Sequence, residues 1–157
     1  MKITFAKFLY NAILNLAVCS ALCLSSVALN GLNSFQAIPF FTSLLFSYIL
    51  AMAIGLFIPL MGIGKAFASL FKVKTETYTG NLAYRLLATF IIAAIFYFLI
   101  SPSLALFNYF VFGGGEPKSA FLGFLRTFPL LFLVHFFASL FFDIPAYRLA
   151  HHFDPAF

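Results

Sequence analysis

Four apolar runs, each long enough to cross a bilayer, dominate this chain: Phe5 to Leu29, Phe40 to Gly62, Leu82 to Phe112 and Phe128 to Ala150. A helix rises about 1.5 Å per residue and the hydrocarbon core is about 30 Å thick, so about 20 apolar residues make one crossing. The expected fold is therefore all-α: a polytopic integral membrane protein with four transmembrane helices arranged as two helical hairpins. Composition agrees, because 64% of the residues are hydrophobic and 8% are charged, against about 25% charged in soluble domains. In 157 residues this leaves room for a single membrane domain, 1–157, and for no separate water-soluble one.

The formal charge of +5 does not point to nucleic acid, because the nine Lys and Arg residues are not gathered into one basic stripe. They sit at the ends of the apolar runs, where they report orientation. With the N-terminus inside, Lys2, Lys7, Lys65, Lys72, Lys74, Arg85 and Arg148 fall on the cytoplasmic side, and only Lys118 and Arg126 fall opposite. The positive-inside rule then places both termini in the cytoplasm. Lys2 and Lys7 ahead of a small-x-small site at Ser26 and Ala28 resemble a cleaved leader. The apolar stretch outruns the roughly 7–15 residues of a leader's apolar region, so the first run is expected to stay in the protein.

Between the runs, Asn30 to Pro39 is a short uncharged connection, and 65–81 is the longest polar interval, expected to be cytoplasmic, with Thr79 or Gly80 opening the next helix. The third run, at roughly 31 residues, would be about 46 Å long, so it must tilt, kink or protrude. Pro102, flanked by Ser101 and Ser103, is the expected kink, with serine hydroxyls replacing part of the lost hydrogen bonding. Gly113 to Pro117 reads as a turn, and Ser119 to Thr127 as a short interfacial helix in which Phe121, Leu122, Phe124 and Leu125 meet the membrane surface. An offset of 86 places Phe57-Ile58-Pro59 over Asp143-Ile144-Pro145. That pairs 5–64 with 82–150 as a possible parallel duplication of one hairpin, in which Asp143 replaces Phe57 and His135 replaces Ile49.

The fourth run alone carries ionisable groups deep inside a span. Every fourth residue gives Thr127, Leu131, His135, Ser139, Asp143, Tyr147 and His151, one above another on a helix. A charge within the bilayer is costly unless paired, so this file is a candidate intramembrane polar site. Asn11 and Asn15 on the first helix would line it, and Arg85 on the third is placed to pair with Asp143. Either the pair is a structural lock, or His135 and Asp143, about 12 Å apart, are steps in a proton or ion path. Other helices carry files too: Asn11, Asn15, Cys19, Cys23, Ser26 and Asn30 on the first, and Asn81, Arg85, Thr89, Ala93, Tyr97 and Ser101 on the third. On the second, Ser43, Ser47, Ala51 and Gly55 form a small-residue face suited to close helix packing.

Enzyme chemistry lacks its parts. Cys19 and Cys23 sit mid-helix with no charge nearby to hold a thiolate, so they read as packing residues. Only His135 is deep enough to ligate a haem, and the Gly113 triplet followed by Glu116 and Pro117 is no phosphate loop. His151, His152 and Asp154 read as solvated or headgroup-facing tail residues, not as a metal centre. No cofactor is expected.

Asn30-Gly31 ending the first helix, Ile58-Pro59 and Ile144-Pro145 near the ends of the second and fourth, and the segment Phe124-Leu125-Arg126-Thr127-Phe128-Pro129 together carry a resemblance. The chain resembles a family of small bacterial membrane proteins built from a repeated two-helix domain of unknown function. The resemblance implies a bacterial cytoplasmic (inner) membrane location and supplies no activity. Small multidrug exporters also have four helices, but they carry a membrane-embedded Glu in the first, which this chain lacks. The expected function is that of a non-enzymatic interaction or accessory membrane protein, partnered by the lipid bilayer and by a second copy or another membrane protein. The alternative is a small ion- or proton-coupled transporter or channel that uses the fourth-helix file.

Overall fold

A computed structural model describes residues 4–31, 33, 35–73, 78–113 and 117–154. Lys2, Lys74, Glu76 and the Gly114 to Glu116 part of the expected turn lie outside the described residues, as do the side chains of Lys118, Ser119, Phe121 and Phe124. The described elements are all helical: α1 (Phe5–Asn30), α2 (Ala37–Phe57), α3 (Leu60–Leu70), α4 (Tyr78–Phe112) and α5 (Pro117–Phe153). Four helices are long and apolar enough to cross a membrane, over Phe5–Asn30, Ala37–Phe57, Asn81–Phe112 and Leu125–Phe153.

Local chemistry sets the helix ends. Thr4 caps α1 by accepting the Lys7 amide at 3.2 Å, which satisfies one of the four unpaired donors of a helix start. Gly31, at φ 88, ends α1 in a conformation open chiefly to glycine.

The second apolar run is not continuous to Gly62. Pro59 has no N–H to offer Gly55, and the Leu60 amide turns to the Ile58 carbonyl at 2.8 Å, so α2 stops at Phe57. The chain resumes as α3, and much of the expected polar connection is therefore helical. The carbonyl of Leu56, which Leu60 would serve in an unbroken helix, accepts instead from the Lys7 ammonium at 2.9 Å. An orphan carbonyl at a helix end is thus closed by a cation from another helix, where the helix dipole favours positive charge.

Pro102, by contrast, lies inside α4, with the Ser103 hydroxyl donating to the Leu99 carbonyl at 2.7 Å. Pro129 and Pro145 lie inside α5. The segment from Ser119 to Thr127 is accordingly no separate interfacial helix: it is the first part of α5, because Pro129 removes a single bond and the flanking turns carry on.

In the bundle, α1 packs along α2 and α5, α4 along α5, α3 and α2. Phe5 and Phe153 meet edge to face at 5.8 Å, so the described ends of α1 and α5 lie together; this is the terminal end below, and the opposite one is the loop end. The core is built on Cys19, Ala51, Ile54, Leu60, Phe96 and Ile100. Ile38, Phe41, Leu45 and Ile49 are exposed along α2 while Ser47, Ala51 and Gly55 are buried. An apolar outer face over a small-residue inner face is the pattern expected of a helix between lipid and protein. A Cβ at Gly55 would run into the Asn11 side chain, and one at Gly64 would lie 3.0 Å from Ile92 and 3.3 Å from Ala88. Both glycines let neighbouring helices close up.

Candidate functional site in the membrane core

The polar groups of α5 face the protein and not the lipid over two turns. His135 is only 2% exposed, with its ring 6.0 Å from Phe96 and 6.4 Å from Tyr97. Two turns toward the terminal end, Asp143 is held by helices α1 and α4. The Tyr10 hydroxyl donates to its Oδ1 at 2.6 Å, and the Arg85 guanidinium approaches Oδ2 at 3.5 Å. The phenol is the closer partner. The Arg85–Asp143 side chains are 34% and 35% exposed, so this ion pair is a partly exposed latch and not a fully buried pair.

Between these groups lies a cavity of about 50 Å³, lined by Asn15 of α1, Thr89 of α4, and His135, Ser139 and Asp143 of α5, with Tyr10 beside them. A buried water needs at least about 10–15 Å³ on this measure, together with two to four polar partners, and this chamber offers both for more than one. His135 Nδ1 is buried and makes no hydrogen bond among the described residues. Such a nitrogen costs about 1–3 kcal/mol, a cost that packing with Leu or Phe would avoid.

Asn15 is buried, and its amide reaches the Met52 sulfur at 3.8 Å. Asn11, expected to line the same site, does not. Its amide donates to the Lys7 carbonyl at 2.8 Å and its side chain packs on Gly55. It faces a different cavity, of about 270 Å³, beside Lys7, Pro59 and Ile92. One residue of the α1 stripe thus serves the α1–α2 seam and the next serves the chamber.

Tyr147, also expected in the file, is 42% exposed and stacks on His151 at 5.7 Å. The cause is helix geometry. Each four-residue step overshoots a full turn by about 40°, so three steps from His135 carry Tyr147 about 120° around the axis. Ala146 and Ala150 take the inward positions instead, both 0% exposed. Of the small-residue face, Ser47, Ala51 and Gly55 are buried, and the Ser43 hydroxyl donates to Asn108 of α4 at 2.9 Å.

Tyr10 was not evident as a site residue. Its only sequence signal is its place next to Asn11 on the polar side of α1. Cys19 and Cys23 are buried free thiols near the Ser47 hydroxyl, and no cluster of three or more His, Cys, Asp or Glu residues suited to a metal occurs among the described residues. Comparisons with protein-family models, curated proteins and solved structures found no match to this chain.

Proposed function

We propose that this chain is a small, non-enzymatic proton- or ion-translocating membrane protein, working through the chamber between His135 and Asp143. It spans a bacterial cytoplasmic membrane as two helical hairpins, α1–α2 and α4–α5, with both termini inside, as the distribution of Lys and Arg favours. One observation supports this reading: a cavity shared by three helices, walled by Leu14, Val18, Ile92 and Phe96 as well as by Asn15, Thr89 and Ser139, with His135, whose Nδ1 bonds no described residue, at one end and a latched carboxylate at the other. A purely structural lock accounts for Arg85, Tyr10 and Asp143. It does not account for a buried histidine two turns deeper whose Nδ1 bonds no described residue, whereas a group that takes up and releases a proton needs a place on such a chamber.

Purified protein in proteoliposomes tests the proposal. A proton, sodium or potassium flux should appear under an imposed gradient and fall at least tenfold in Asp143→Asn and in His135→Phe. Absence of any such flux from the wild type overturns it.

The interaction or accessory role is the second reading. Its support is the apolar surface of α3 and its C-cap, where Met61, Leu70 and Phe71 are exposed around Lys65, a surface that a second copy or another membrane protein fits. Crosslinking from α3 in native membranes should return one stoichiometric partner, and recovery of a lone monomer counts against this role.

A further inference from the structure

The chamber between His135 and Asp143 is small, about 50 Å³, and its side-chain oxygens are few: those of Tyr10, Asn15, Thr89, Ser139 and Asp143. The carboxylate is engaged on both of its oxygens, Oδ1 by the Tyr10 hydroxyl at 2.6 Å and Oδ2 by the Arg85 guanidinium at 3.5 Å. His135 stands two turns away along α5, about 12 Å, with Ser139 one turn from each. The chamber is walled by α1, α4 and α5, and α2 and α3 add no described lining residue. Tyr10, His135 and Asp143, with Arg85 bonded to the last, are therefore the titratable or charged groups that bear on it among the described residues.

These groups treat a proton and a metal cation differently. A sodium or potassium ion that leaves water must recover its hydration shell from protein oxygens, and the one anionic group here already faces a guanidinium. A second cation on Asp143 would sit beside the fixed charge of Arg85 and be repelled by it. A metal that prefers imidazole gains no more, because His135 and Asp143 are too far apart to share an ion, and no cluster of three or more ligating residues occurs among the described residues. A proton needs no shell of oxygens. Hydroxyls donate and accept alike, imidazole takes up and releases a proton near neutral pH, and the chamber has room for water between the two groups.

We infer that the species carried through this chamber is the proton, and that Arg85 keeps sodium and potassium out of it. The inference rests on the translocation reading above and names its substrate. A proton from water at the terminal end adds to the Asp143 carboxylate, which becomes a carboxylic acid. It passes through chamber water to a ring nitrogen of His135, which becomes imidazolium as the carboxylate re-forms. Loss of that proton to water on the loop side restores the neutral ring. Arg85 stays charged throughout, so it positions the carboxylate and repels any other cation drawn to it.

Proteoliposomes holding the pH dye pyranine, driven by a potassium diffusion potential through valinomycin, should acidify several-fold faster than protein-free vesicles. The rate should be the same when N-methylglucamine replaces sodium, and should fall in D2O. Without valinomycin, uptake of radiolabelled sodium and of radiolabelled rubidium, a potassium tracer, should equal that of protein-free vesicles. Ser139→Val, which takes a hydroxyl from the chamber and puts a methyl group in its place, should lower proton flux several-fold in protein whose helicity and elution are unchanged. Labelled sodium or rubidium uptake above the protein-free level, or proton flux that Ser139→Val leaves intact while Asp143→Asn abolishes it, overturns this inference and leaves the translocation reading standing. Absence of all three fluxes from the wild type removes the two together.

Discussion

Asp143 has two partners of unequal weight, and the difference can be measured. The Tyr10 bond is short and charge-assisted, so Tyr10→Phe is expected to cost about 1.5–3 kcal/mol. Arg85→Ala breaks a longer, partly exposed contact and is expected to cost about 1 kcal/mol or less. Unfolding midpoints of the two variants in the same detergent settle the order, and an equal or reversed ranking would show that the guanidinium and not the phenol holds the carboxylate. His135 should behave in the opposite sense. His135→Phe removes a buried nitrogen that bonds no described residue, so it should raise the midpoint while abolishing flux, the trade expected where a site is kept for activity at a cost in stability. A destabilised His135→Phe protein would mark the imidazole as a structural group.

At the scale of the helices, close approach and the break in α2 carry the testable content. A side chain at Gly55 must displace Asn11, so Gly55→Leu should destabilise by about 1–3 kcal/mol through overpacking. Disulfide trapping between cysteines placed on α1 and α2 should slow in parallel. Unchanged stability and trapping would mean that α2 can move away from α1 without loss. The apolar run lengths placed four spans, α1 to within a residue, because lipid imposes a minimum length that composition records directly. The polar file was legible only in part. His135, Ser139 and Asp143 stayed together, whereas Tyr147 left the face because a strict four-residue spacing drifts around a straight helix. The sequence also could not show that Pro59 would end a helix while Pro102, Pro129 and Pro145 would not. At Pro59 alone the next amide finds another acceptor and a lysine from a distant helix closes the gap. The offset of 86 pairs residues that face opposite ways: Ile49 and Phe57 are exposed, whereas His135 is buried and Asp143 is bonded to α1.

For the whole molecule, the meeting of Phe5 with Phe153 brings the described ends of α1 and α5 to the same end of the bundle. Under the proposed topology, reporter fusions at the two termini should give the same compartment, and the positive-inside rule favours the cytoplasm. Opposite readings would break both the bundle and its orientation. The Lys7 contact with Leu56 also bears on how the protein is made. The backbone gap in α2 is closed by a side chain synthesised some fifty residues earlier. Synthesis delivers the first helix before the second, so the cation that closes the gap is made before the carbonyl it serves, and the opening segment offers the one that follows a ready docking point.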